Sequence, residues 1–219
     1  MKLALVFLMA LGVAAPAAAQ VRRPPARTQP PRVVFRPFVL VSEERFAASQ
    51  AFEGVFGKAV QPFIGAGAQM TFRDGGFLEF TFSRFQKDGE RAFRFEDENF
   101  PLGIPLKATL TPIEITTGYR MLNRRRPRPV VPYFGIGVGF YRYSESSDFS
   151  EVGDDVNVSH LGFLGMAGAE FRVHRLLSLS ADVQVNQVQG ILESTGLAGE
   201  TKETNLGGLA ARFRVIIGK

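Results

Sequence analysis

The feature that most constrains this chain is a period of two. From Val33 onward the apolar residues do not recur at helical spacing; they alternate, position by position, with small or polar ones in stretches of about ten residues. Successive side chains of a strand point to opposite faces, so each such stretch predicts a strand with one apolar and one polar face. Ile64, Ala66, Ala68, Met70 and Phe72 oppose Gly65, Gly67, Gln69 and Thr71, and Leu78, Phe80 and Phe82 oppose Glu79, Thr81 and Ser83. The same pattern returns at Ile113–Tyr119, Tyr133–Tyr141, Leu161–Phe171, Leu177–Asn186 and Gly208–Ile217. A first strand over Val33–Ser42 is nearly continuous in its apolar residues, and it brings the predicted number to eight.

Eight alternating strands predict an all-β fold, an eight-stranded antiparallel up-and-down β-barrel over residues 33–219. Two observations turn the apolar face outward, toward lipid. The polar faces mix Glu, Asp, Gln, Asn and Ser with many glycines, which suits a narrow polar lumen; a soluble surface would be rich in Lys and Glu. The connections also alternate in length. Those near 73–76, 122–130 and 174–175 are short to moderate, and those near 43–60, 86–107, 144–160 and 190–204 are long. Short periplasmic turns and long outer loops mark transmembrane barrels, and an even strand number then puts both ends of the barrel segment in the periplasm.

The chain's beginning agrees with export. Met1-Lys2 is a short positive start, Leu3–Val13 is apolar and uncharged, and Ala17-Ala18-Ala19 supplies small residues before Gln20. This predicts a cleaved signal peptide over residues 1–19, since the apolar run is shorter than the roughly 20 residues of a spanning helix. Residues 20–32 hold four prolines and four arginines and predict a disordered periplasmic tail. Lys2 and those four arginines account for the whole net charge of +5, so the high isoelectric point belongs to the leader and tail and does not point to nucleic acid. With no cysteine in the chain, neither a disulfide nor a lipid-modified cysteine is expected.

The texture of Pro132–Tyr143 (PYFGIGVGFYRY), Gly162–Arg172 (GFLGMAGAEFR) and Leu177–Val185 resembles the outer-membrane β-barrel family of small OmpA- and OmpX-like proteins. The resemblance spans most of residues 33–219 and implies localisation in the cell outer membrane of a Gram-negative-type envelope. It is specific for fold. It is weak for function, where the leading reading is a structural or surface-interaction barrel with a lumen filled by side chains, expected as a monomer that contacts envelope lipid and lipopolysaccharide or an extracellular partner through its loops. A narrow passive pore for small solutes is the alternative reading, and an outer-leaflet lipid-modifying enzyme is a third.

Candidate residues follow from strand parity. Arg36, Glu79, Glu114, Arg120, Glu170, Arg172, Asp182, Arg212 and Arg214 point inward and are read as a lumen charge network, because confined charges must find partners. Asp182–Arg212 is read as one pair, and Glu170–Arg214 as a looser pair across the lumen. Arg84, Lys107 and Arg142 take the lipid-facing parity at outer strand ends, where cations can snorkel to the phosphates of lipopolysaccharide. Phe72, Tyr119, Phe134 and Phe171 share that parity at the opposite ends, as in an aromatic girdle. The segment Glu44–Lys58 sets Phe52 and Phe56 at helical spacing and predicts a short helix in the first outer loop. The loop 143–160 is acidic without the spacing of a calcium loop, and His160 and His174 form no recognisable catalytic triad. The reading is therefore of a non-enzyme, with no metal site and no cofactor.

Overall fold

In the computed structural model the described residues are 33–95, 98–122, 129–146, 156–190, 203 and 205–218. The expected signal peptide (1–19) and tail (20–32) lie outside them, as do residues 123–128 and residues 147–155 of the acidic loop. Eight strands follow in chain order: β1 (Val34–Phe46), β2 (Val60–Thr71), β3 (Gly76–Phe95), β4 (Glu98–Arg120), β5 (Val130–Ser146), β6 (Val156–His174), β7 (Leu177–Gln187) and β8 (Gly208–Ile217). One helix, α1 (Ser49–Phe56), stands between β1 and β2.

Each strand pairs antiparallel with the next, and β1 closes on β8 from Phe38↔Ile216 to Phe46↔Gly208. The result is a closed up-and-down barrel of the transmembrane kind. The connections divide it into a turn end (β2–β3, β4–β5, β6–β7) and a loop end (β1–β2, β3–β4, β5–β6, β7–β8).

The outward face is apolar. Phe82, Ile113, Phe140 and Leu161 occupy one row through successive register pairs across β3, β4, β5 and β6, and all four are exposed. Ile136 is 70% exposed and Phe163 71%, values that no soluble monomer core would leave facing water in such a continuous belt. Phe72, Tyr119, Phe134 and Phe171 are exposed around the turn end. The polar side chains are the buried ones: Glu79, Glu114, Glu170, Asp182, Gln184, Arg212 and Arg214 all lie inside. This is the inverse of a soluble barrel, and it is the arrangement a lipid environment selects.

Several strands outrun their expected limits, β1 reaching Phe46 and β2 starting at Val60. The segment read as a long connection at 86–107 is a hairpin in which β3 and β4 remain paired out to Phe95↔Glu98. β5 and β6 likewise extend to Glu145↔Val156. Beyond the apolar belt the outward positions Gln86, Asp88 and Glu90 are polar, so the backbone ladder continues while the apolar–polar alternation that reveals it is lost. Helix α1 is shorter than the segment read for it, starting at Ser49 and stopping at Gly57, which adopts φ 73 and donates its N–H to the Glu53 carbonyl.

Interior space is scarce. A Cβ added at Gly67 would sit 2.3 Å from the Phe80 carbonyl oxygen and 2.4 Å from the Phe38 ring. At outward-facing Gly165 it would meet nothing within 4 Å. We therefore expect Gly67→Leu to abolish the compact, heat-modifiable band on unboiled gels and Gly165→Ala to retain it. Normal folding of Gly67→Leu would show that the barrel wall yields more than this packing allows.

Candidate functional site

The lumen is built by the inward parity of every strand. At the turn end, Arg36 of β1 makes a forked pair with Glu170 of β6, donating from Nη2 to Oε1 at 2.6 Å and from Nη1 to Oε2 at 2.9 Å. Arg120 of β4 donates to the same carboxylate at 2.8 Å. Arg36 also reaches Gln69 Oε1 at 3.2 Å, and the Gln69 amide donates to Glu79 Oε2 at 2.9 Å.

The middle of the lumen turns on Arg214. Its Nη1 donates to Glu79 Oε2 at 2.6 Å, its Nη2 stands 3.0 Å from Asp182 Oδ2, and its Nε donates to the Ser180 hydroxyl at 3.0 Å. The guanidinium is sandwiched between the Phe38 and Tyr133 rings, 5.3 Å from each centroid. Tyr133 donates its hydroxyl proton to Asp182 Oδ2 at 2.6 Å. Arg212 donates from Nε to Asp182 Oδ1 at 2.6 Å and lies 3.8 Å from Glu114. Toward the loop end Tyr141 and Gln184 both donate to Glu114, at 2.8 and 2.9 Å. Gln184 also donates to Asn186, and Asn186 to Glu44 at 3.0 Å. One polar chain thus runs from Arg120 to Glu44 through side chains of seven strands.

Above that chain the lumen changes character. Phe46, Phe63, Phe85, Leu110, Tyr141 and Tyr143 turn inward from five strands and enclose Phe52 and Phe56 of α1 in a single apolar cluster, completed by Val188 and Leu206. Phe52 stacks on Phe46 at 3.9 Å between centroids, and Phe56 meets Phe85 edge-on at 5.9 Å. The Glu203 carboxylate accepts the backbone N–H of Ala51 at 3.0 Å, holding the start of the helix in place. The helix predicted from the spacing of Phe52 and Phe56 therefore packs into the loop end of the lumen.

Of the nine inward residues read from sequence, eight lie in this network and one does not. Arg172 is exposed: it pairs with the buried, inward-facing Ser178 and so keeps its inward parity, but it lies at the open turn-end mouth, at the last pair before the β6–β7 register shift. The Glu170–Arg214 pair is also replaced. Both residues share Ser180 as register partner, but tilted strands give one row different heights, so Glu170 meets Arg36 and Arg120 while Arg214 meets Glu79 and Asp182. Asp182 and Arg212 are directly paired. Glu44 was missed because it fell in a segment read as loop. Its parity with Arg36 was the available signal.

On the outer surface, Arg84, Lys107 and Arg142 are all exposed. Thr111 partners Arg142, and the register that joins Phe82 to Ile113 and Phe85 to Leu110 sets Arg84 on the other side of Thr111. Arg84 and Arg142 therefore flank Thr111 in the row next above Phe82, Ile113 and Phe140. Arg84 donates to Gln86 at 2.7 Å and Arg142 to Asn157 at 3.3 Å. Lys107 lies four residues further out on β4, opposite Asp88 and Ser146. His160 is half-buried opposite Tyr141, and His174 is exposed in the β6–β7 connection.

No family model and no curated protein matches this chain. Among solved structures it is similar to a major outer membrane protein from Thermus thermophilus, with a TM-score of 0.50 and 12% identity over 84% of this chain and 99% of that one. It is also similar to Ail, the attachment invasion locus protein of Yersinia pestis, solved with the heparin analogue sucrose octasulfate (TM-score 0.46, 11% identity, 86% and 97% covered). A third is Neisserial surface protein A (TM-score 0.45, 13% identity, 85% and 94% covered). At such identities the likeness is one of fold, that of the small outer-membrane barrels.

Removing Arg214 strands Glu79 and Asp182 in a site they cannot leave. Arg214→Met should cost about 3–5 kcal/mol of folding free energy in detergent, the usual penalty for breaking a buried pair from one side. Adding Glu79→Gln should recover part of that loss. Urea titrations followed by circular dichroism check both, and a double variant as unstable as the sum of its parts would contradict the coupling.

Proposed function

We propose that this protein is an exported, monomeric outer-membrane barrel that acts through its surfaces and not as a conduit. The observation that carries the reading is the contrast between its two faces. The interior is closed by a salt-bridged chain and an aromatic plug, while the exterior offers a lipid-facing belt topped by cations. In this reading residues 1–19 are removed on export, the 20–32 tail faces the periplasm with the turn end, and the loop end faces outward. No step of chemistry is assigned to it.

The row Arg84–Thr111–Arg142 is placed to meet the outer leaflet. Adjacent strands stand about 4.8 Å apart, so the two guanidiniums are anchored about 10 Å from each other, one row above exposed Phe82 and Phe140. Fatty chains would lie on the aromatic row and phosphates of lipopolysaccharide on the arginines, which bind oxyanions in a forked geometry. Lys107, about 13 Å further along β4, is positioned for charges of the sugar region. The outer hairpins β3–β4 and β5–β6 then stand clear of the membrane and are available to an extracellular partner.

Replacing Arg84, Lys107 and Arg142 together by Ser should reduce the lipopolysaccharide that co-purifies with the folded protein several-fold, with heat-modifiable migration preserved. Unchanged retention would assign these cations to nothing more than strand-end solubility.

A further inference from the structure

Charge in the lumen is unevenly sorted. In the middle, Glu79, Glu114 and Asp182 outnumber Arg212 and Arg214, and Glu44 adds a further acid toward the loop end. At the turn end the balance reverses, because Arg36 and Arg120 share the single carboxylate of Glu170. Arg172 stands exposed at the same mouth, within electrostatic reach of Arg120. Two guanidiniums thus share one acid while a third stands at the mouth, an excess of two positive charges. A guanidinium cannot relieve this by losing its proton.

The donors are also in surplus. Arg36 Nε and Arg120 Nε are buried, and neither has an acceptor among the described residues. Around the rim the exposed Arg73 and Arg175 add positive charge, against Asp74 as the exposed acid of the described turns. A mouth lined by one sign of charge concentrates oppositely charged ligands.

We propose that this turn-end mouth is a binding site for a phosphate-type oxyanion, recognised by Arg120 and Arg172 with Arg36 behind them. A carboxylate is already matched by the fork of Arg36. The remaining surplus suits a tetrahedral anion that carries up to two charges and several acceptor oxygens, and guanidiniums bind such groups through paired N–H bonds. The ligand is either a soluble phosphate or the headgroup phosphate of an anionic lipid in the adjacent leaflet. That the mouth opens on the periplasm rests on the orientation proposed above; the anion site itself does not.

The test uses the protein purified from membranes in zwitterionic detergent, with melting followed by calorimetry. A ligand that binds only the folded state raises the melting temperature in proportion to its saturation. Inorganic phosphate should raise it with concentration, beyond sodium chloride at equal ionic strength. Arg172→Ser, which breaks no pair with Glu170, should weaken the apparent affinity roughly three- to tenfold, and Arg120→Gln should weaken it further. Arg45→Ser, removing an exposed cation at the loop end, should leave it unchanged. A second arm compares nanodiscs of phosphatidylglycerol with phosphatidylcholine. Stabilisation by phosphatidylglycerol alone, lost in Arg172→Ser, identifies the lipid headgroup as the source; stabilisation by free phosphate identifies a solute. If neither anion stabilises beyond its control, or if Arg172→Ser and Arg45→Ser respond alike, the site does not exist. Because the detergent arm has no inside or outside, its result is separate from the topology, which labelling of Arg175→Cys in intact cells reads directly.

Discussion

Arg214 is where the structure's demands meet. Its side chain is 1% exposed, it stays protonated, and the barrel around it is too narrow to hydrate it. It is satisfied only because β3 supplies Glu79, β7 supplies Asp182 and Ser180, and β5 supplies Tyr133. Those partners come from strands far apart in sequence, so neutralising one guanidinium imposes a register on much of the barrel. A slip of a single residue on β7 would send Asp182 into lipid and take from Arg212 and Arg214 the carboxylate they share. The charge network thus specifies the closed barrel as much as it stabilises it, and it makes each member costly to remove alone.

The two ends of the lumen are closed by different physics. The polar chain depends on directional bonds among side chains that cannot leave, and the plug at α1 depends on aromatic area withdrawn from water. Phe46, Phe52, Phe63 and Phe85 form mutual ring contacts at 3.9 to 6.5 Å, and the helix buries Ala51, Phe52 and Phe56 while Gln50 and Glu53 stay exposed. Under the proposed function, interaction falls to the lipid-facing belt, the arginine row above it, the outer hairpins and the basic turn end.

Much of this was legible in the sequence, and for a clear reason. Where one face of a strand meets lipid and the other a polar lumen, the period of two is strict, and parity alone separates Glu79 from Phe80 and Arg212 from Phe213. The short and long connections alternate as the topology requires. Parity carries no height, however. It assigned Glu170 and Arg214 to the same interior without showing that strand tilt gives them different partners. Nor does it show where the lumen opens, which is why Arg172, inward by parity, was read into the network although it stands exposed at the mouth. Beyond the belt the outer parts of β3 and β4 lost their pattern because their outward positions, such as Gln86, Asp88 and Glu90, are polar. The plug was recognisable only as two phenylalanines at helical spacing, since its remaining members come from five strands that sequence does not bring together.

The central claim is that side chains fill this barrel from end to end. Current through single molecules inserted in a planar bilayer tests it most directly. The account predicts no steady ohmic conductance from the wild-type protein, and at most brief openings when Arg214 or the aromatic cluster is disrupted. A steady, voltage-independent conductance from the unaltered barrel would contradict it and establish a continuous aqueous path through the lumen.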